Sequence, residues 1–223
     1  MEISTLLEIR PGVTAIIGGG GKTTLMHTLS RELMGRGRVI LCTTTHILVP
    51  EDLDVVTGPD AARVRGILAR RRAVCVGTPC QENKLTAPQI PMEELSALAD
   101  YILVEADGSR GLPLKAHAGH EPVIPACADQ TILVAGADGF GHPIREACHR
   151  PELYARLSGG SLDEPVSPRL AARVIVAEGL GDRVFINKTE DAAARENARE
   201  LAALLDCPAV GGSLWKGEYE CLC

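Results

Sequence analysis

No stretch of the 223 residues approaches the ~20 consecutive apolar positions of a membrane-spanning helix, which argues against an integral membrane protein. A basic surplus is also missing. Against 29 Asp and Glu stand 23 Lys and Arg, a formal net charge of −6, so no broad surface for nucleic acid or anionic lipid is expected. The cysteines include no C-x-x-C pair and no zinc-type spacing. Cys42, Cys75, Cys80, Cys127, Cys148 and Cys207 are scattered and read mostly as small buried apolar side chains. Cys221 and Cys223 form a terminal C-x-C, either a metal or chalcogen ligand pair or a frayed tail. Repeats, heptads and low-complexity tracts are absent. The opening MEISTLLEIRPG has neither the charged n-region nor the apolar core of a secretory leader, so the expected compartment is the cytoplasm.

What is present begins at residues 13–24, VTAIIGGGGKTT: an apolar β-prone run, four glycines, a lysine and two threonines opening a helix. Glycines let backbone N–H groups approach an anion closely, and a following helix adds unpaired N–H groups and its positive dipole end. Gly18, Gly19, Gly20 and Gly21 are therefore expected to cradle phosphates. Lys22, as a mobile solvent-facing cation, would reach the β- and γ-phosphates, Thr23 would hold Mg²⁺, and Thr24 would support the phosphate. The loop is a variant form, because Ile16 stands where the pattern G-x-x-x-x-G-K-[ST] has its first glycine, and Ile17 excludes a second lysine there.

Short, continuous, β-branched runs suit a parallel sheet buried on both faces. They are Val13 to Ile17, Val39 to Thr43, Ala73 to Gly77, Tyr101 to Ala106, Thr131 to Ala137, Val184 to Asn187 and Ala209 to Gly211. Helices are expected between them at Lys22 to Met34, Pro59 to Arg70, Pro91 to Ala99, Pro168 to Glu178 with Ser167 as N-cap, and Glu190 to Leu205. The predicted fold is α/β, one P-loop NTPase-like domain with a doubly wound, mostly parallel sheet over residues 1–223. Its ligand would lie at the carboxyl ends of the strands. The segment 108–165 is proline- and histidine-rich with little helical periodicity, and apart from the strand at 131–137 it is expected to be functional loop.

Three further phrases carry chemistry. YILVEADGSRGLPLK is an apolar strand ending in acids, the form of a Walker B element, in which Glu105 and Asp107 share one face and either could hold Mg²⁺. TTTHI at 43–47 ends the second strand, placing Thr44 near the γ-phosphate and His46 where it can orient water or substrate. VFINKTED resembles a guanine-reading N-K-x-D element, with Asn187 and Lys188 at the base and Glu190 in the aspartate position, so ATP and GTP both remain open. Lys115, His117, His120, Glu121, His149 and Arg150 form either an acceptor site for an anionic substrate or proline-framed structural turns.

With the glycine loop, TTTHI, LVEADGSRGLPLK, HEPVIP at 120–125 and HRPE at 149–152 in order, the chain resembles the YqeC family of selenium-dependent hydroxylase accessory proteins. The resemblance implies a nucleotide-binding protein that aids maturation of a selenium-dependent molybdenum hydroxylase, with the hydroxylase or its cofactor as partner. Two functions fit: a Mg²⁺-dependent NTPase or phosphotransferase, with Lys22, Asp107 and His46 as catalytic candidates, or a non-catalytic module switched by nucleotide. Neither excludes a homodimer.

Overall fold

A computed structural model describes residues 1–81 and 83–222. The first half of the chain forms α1 (Ile3–Leu6), β1 (Gly12–Gly18), α2 (Lys22–Leu33), β2 (Val39–Thr43), β3 (Ile47–Leu48), β4 (Val55–Val56), α3 (Ala61–Arg71), β5 (Ala73–Val76), β6 (Thr78–Gln81) and β7 (Lys84–Thr86). Then come α4 (Met92–Ser96), β8 (Tyr101–Glu105), β9 (Leu114–Lys115), β10 (Gln130–Gly136), a 3-10 turn (Ala137–Gly139), α5 (Ile144–Ala147), β11 (Cys148–His149) and α6 (Pro151–Ser158). The chain closes with α7 (Pro168–Glu178), β12 (Arg183–Asn187), α8 (Ala192–Ala202), β13 (Ala209–Ser213) and β14 (Glu218–Cys221).

Nine strands make the central sheet, in the order β14-β13-β12-β10-β1-β8-β2-β5-β4. All neighbours are parallel except β13 and β14, which form a hairpin at one edge. The inner strands are buried along their length, as expected of continuous apolar runs covered on both faces. One face carries Ile16, Leu41, Leu103, Val134 and Phe185 against α1 and α2, whose Leu25, Met26, Leu29 and Leu33 are almost wholly buried. Each such side chain contributes roughly 1.5–3 kcal/mol. The opposite face is divided: α3 and α4 cover Ile40, Val74 and Val104, while α6, α7 and α8 cover Ala15, Leu133 and Ile186.

Sheet order is read outward from β1, with β8, β2, β5 and β4 on one side and β10, β12, β13 and β14 on the other. The carboxyl end of β1 is therefore the switch point, where an open α/β sheet leaves a crevice for ligand. A side sheet of β3, β7 and β6 stands over the β2 side of that crevice.

The expected helix boundaries hold best where a side chain caps the end. Ser167 accepts from the Leu170 N–H and Gly179 ends α7 in the left-handed region, giving the predicted Pro168–Glu178. Asp191 caps α8, which starts two residues later than Glu190. The segment 108–165 departs from expectation: it is not loop outside β10 but holds α5, α6 and the short β9–β11 ladder. Cys42, Cys75 and Cys148 are buried, and burial pushes the Cys75 and Cys148 thiols up to about 12, consistent with apolar packing. Cys80 is exposed and Cys127 and Cys207 are half-buried. Cys221 ends β14, and Cys223 lies outside the described residues.

Candidate functional site

The glycine loop turns from β1 into α2 at the switch point. Its glycines are required by space as well as by φ. At Gly20 (φ +75°) an added Cβ would lie 2.4 Å from the Gly136 nitrogen, and at Gly19 it would lie 2.6 Å from the Leu112 carbonyl oxygen. A side chain at either position would push the loop off β10 or off the strap that follows β8. Asn187, at the end of β12, fastens the loop: its amide donates to the Gly20 carbonyl at 2.8 Å and accepts from the Leu214 N–H at 3.1 Å.

A cavity of about 700 Å³ opens above this loop. Gly20, Gly21, Lys22, Thr23, Thr24, His46, Glu105 and Lys188 line it, so eight residues anticipated from four separate phrases meet in one place. The side sheet contributes Gln81 and Lys84, and the turn after β8 contributes Gly108, Ser109, Arg110 and Gly111.

The charges beneath the cavity are ordered. Lys22 is not solvent-facing; it is 4% exposed, donates to the Gly18 carbonyl at 2.7 Å and lies 3.2 Å from Asp107 Oδ1. The Thr23 hydroxyl donates to Glu105 Oε2 at 2.7 Å, with Lys22 Nζ 4.0 Å from Glu105 Oε1. Burial pushes the Glu105 carboxyl above its ordinary range, an effect that the Lys22 charge and the Thr23 hydrogen bond only partly offset.

Asp107 is fully buried and held from every side. Its Oδ2 accepts from the Gly18 N–H at 2.9 Å and lies 2.7 Å from His117 Nε2 and 3.1 Å from Lys115 Nζ. Burial opposes its ionisation, but the His117 hydrogen bond and the charges of Lys22 and Lys115 outweigh burial and hold the carboxyl well below the usual range. His117 is in turn bridged to Glu178, at the end of α7, through Nδ1 at 2.7 Å and through its backbone N–H at 2.6 Å. Burial lowers the affinity of the His117 ring for a proton, yet the hydrogen bonds to Asp107 and Glu178 outweigh it and raise the ring above its ordinary value.

The expected site residues of the flanking segments fall outside the cavity wall, except Lys188. The Thr44 hydroxyl donates to the Val123 carbonyl at 2.7 Å, clipping the end of β2 to the segment after HEP. Both amide groups of Asn187 are taken by the loop and Leu214, Lys188 pairs with Asp138 at 2.6 Å, and Glu190 accepts from Ser213. This element therefore braces the loop, and Glu190 offers its carboxylate to β13 rather than to the cavity. Lys115 donates to the Gly108 carbonyl at 2.6 Å and to Glu121 at 2.8 Å; Arg150 pairs with Glu121 and lies 3.0 Å from His120. Lys115, His120, Glu121 and Arg150 thus form one hydrogen-bonded network. His149 and Arg150 line a neighbouring cavity. Glu178 and Arg110 were not singled out from the sequence. Glu178 lies 61 positions from His117, a pairing with no local signal, whereas Arg110 follows the E-x-D phrase directly.

Fold and site together define a doubly wound α/β protein whose crevice rests on a glycine loop at the switch point of a parallel sheet. The family profile described as YqeC protein matches residues 14–152, well over half of the chain, and the chain belongs to the YqeC family. An Escherichia coli (strain K12) protein described as "Uncharacterized protein YqeC" is 36% identical over 159 residues. That alignment takes in 67% of this chain and 62% of the relative.

Among the described residues no helix is long and apolar enough to cross a membrane.

Proposed function

We propose that the chain is a P-loop protein that binds a Mg²⁺–nucleoside triphosphate, ATP or GTP, on its glycine loop. In this reading it acts in the cytoplasm, in the maturation of a selenium-dependent molybdenum hydroxylase, as the resemblance implies. The observation that carries it is the convergence of a backbone cradle, Lys22, the Thr23 hydroxyl and Glu105 on one cavity at the switch point. In the state described, Lys22 rests on Gly18 and Asp107, and in this reading Nζ turns from them to an incoming phosphate.

The donor set fits Mg²⁺. Thr23 and Glu105 offer hard oxygens beside each other, a donor pair for an ion which takes most of its ligands from phosphate and water. Mg²⁺ would supply charge neutralisation between the β- and γ-phosphates. Glu105 is the carboxylate that would hold it, and Asp107, buried behind Lys22, would position Lys22 and the Gly18 N–H instead. His46, exposed on the cavity wall, is a side chain that could orient a water or acceptor.

The full commitment of Asp107 favours a second reading alongside the first, a nucleotide-switched binding module with slow turnover, because the buried acid is not free to take a proton. Thermal shift with ATP, GTP and their diphosphates, with and without Mg²⁺, tests the shared core of both. A Mg²⁺-dependent rise for a triphosphate is expected. No shift with any nucleotide would overturn both.

A further inference from the structure

A second cavity, of about 520 Å³, lies beside the first. Arg110, Arg145, Arg150 and Arg156 line it with His149, and Glu152 is the one acid on its wall. These cations come from four places in the fold: the turn after β8, α5, the N-cap of α6 and the last turn of α6. Such a gathering is notable in a chain of net charge −6.

Two of the four are tied down. Arg150 is fixed at a left-handed N-cap position (φ +61°) by its pair with Glu121 and its contact with His120, and Arg145 pairs with Asp163. Arg110 and Arg156 have no ion-pair partner among the described residues. The excess positive potential is felt by His149, whose ring is pushed down by burial and then by Lys115, Arg150 and Arg110. Guanidinium groups match phosphate oxygens in pairs, and this set leaves two forks open.

Size and lining narrow the ligand further. The volume is in the range that takes a small organic molecule, several times what one tetrahedral oxyanion would occupy. Leu112 and Leu153 supply apolar lining, and Glu152 offers an acceptor to a hydroxyl or amine. Arg110 lines both cavities, so a ligand here would lie next to whatever occupies the glycine-loop crevice.

We propose that this cavity binds a phosphorylated small organic molecule, its phosphate held by the arginines and its organic part against Leu112 and Leu153. The assignment of that molecule as the partner substrate of the nucleotide rests on the reading above; the binding itself does not.

The test is phosphorus NMR titration of the full chain with phenyl phosphate, with orthophosphate and phenol as its two halves, in the presence and absence of Mg–ATP and Mg–GTP. Phenyl phosphate is expected to bind more tightly than orthophosphate, to be retained in saturating nucleotide, and to lose about tenfold in affinity in Arg156→Gln. Arg156 is exposed, so that variant should fold; Arg110→Gln is the second variant, read against circular dichroism. The proposal is overturned if phenyl phosphate does not bind, if it binds no better than orthophosphate, if nucleotide displaces it, or if both variants bind it as the parent does. If neither nucleotide binds while phenyl phosphate does and Arg156→Gln weakens it, the cavity assignment stands and the nucleotide reading falls.

Discussion

Glu105 and Asp107 lie two residues apart on the same strand end, yet their surroundings make them different chemical groups. Glu105 faces the cavity with one hydroxyl and one distant lysine for company, and burial raises its pKa. Asp107 is wrapped by Lys22, Lys115, His117 and the Gly18 N–H, which hold it ionised. Glu105→Gln should fold and bind nucleotide while losing most of the Mg²⁺ dependence, because the amide keeps the shape without the charge. Asp107→Asn should instead cost about 3–5 kcal/mol of stability, since it strands buried cations without their counter-ion. Urea unfolding and calorimetric titration of both variants separate the roles. Equal stability in the two, with Mg²⁺ dependence lost only in Asp107→Asn, would reverse the assignment.

At the scale of elements, what could be read beforehand follows from how local its cause is. The glycine loop, α2 and the capped α7 were legible because Gly18 to Lys22, and Ser167 with Pro168 and Gly179, state their geometry within a few residues. α6 was hidden. Its N-cap, Arg150, is a non-glycine residue in the left-handed region with no side-chain cap, and PELYARLS follows a proline-framed stretch that otherwise reads as turn. The edge strand β4 and the short β3 were equally unreadable, being two residues long and held by their neighbours rather than by their own pattern. Within the site, eight of the residues that line the cavity were found from motifs, whereas Gln81, Lys84 and Arg110 were not, and neither were the partners of Asp107, because Lys115, His117 and Glu178 are placed by β9 and α7. A buried network assembled from distant segments leaves no spacing to detect.

Across the whole molecule the network links distant elements, since Glu178 at the end of α7 is tied through His117 to Asp107 at the switch point. Its titration should be visible in global stability. The His117 pKa is raised in the folded chain, so its contribution is complete below the ordinary histidine value of about 6.5 and is lost as pH rises through the raised value. Asp107 is lowered, so its contribution is complete above about 3.9 and is lost as pH falls through the depressed value. The melting temperature should therefore fall on the alkaline side of about 6.5, and less steeply in His117→Gln than in the parent. An identical pH profile in the two proteins would show that His117 is not charged in the fold.

Calorimetric titration of ATP and GTP into the parent and Lys22→Met, with Mg²⁺ and with chelator, decides whether the glycine loop and Lys22 hold a Mg²⁺–triphosphate, as we propose. Methionine keeps the apolar stem of a side chain that is almost buried, so the loop should remain in place while the cation is lost. Saturable one-to-one binding of at least one triphosphate to the parent is expected, weaker without Mg²⁺, with a loss of about a hundredfold in Lys22→Met. Undetectable binding to the parent, or equal affinity in a folded Lys22→Met, would contradict it.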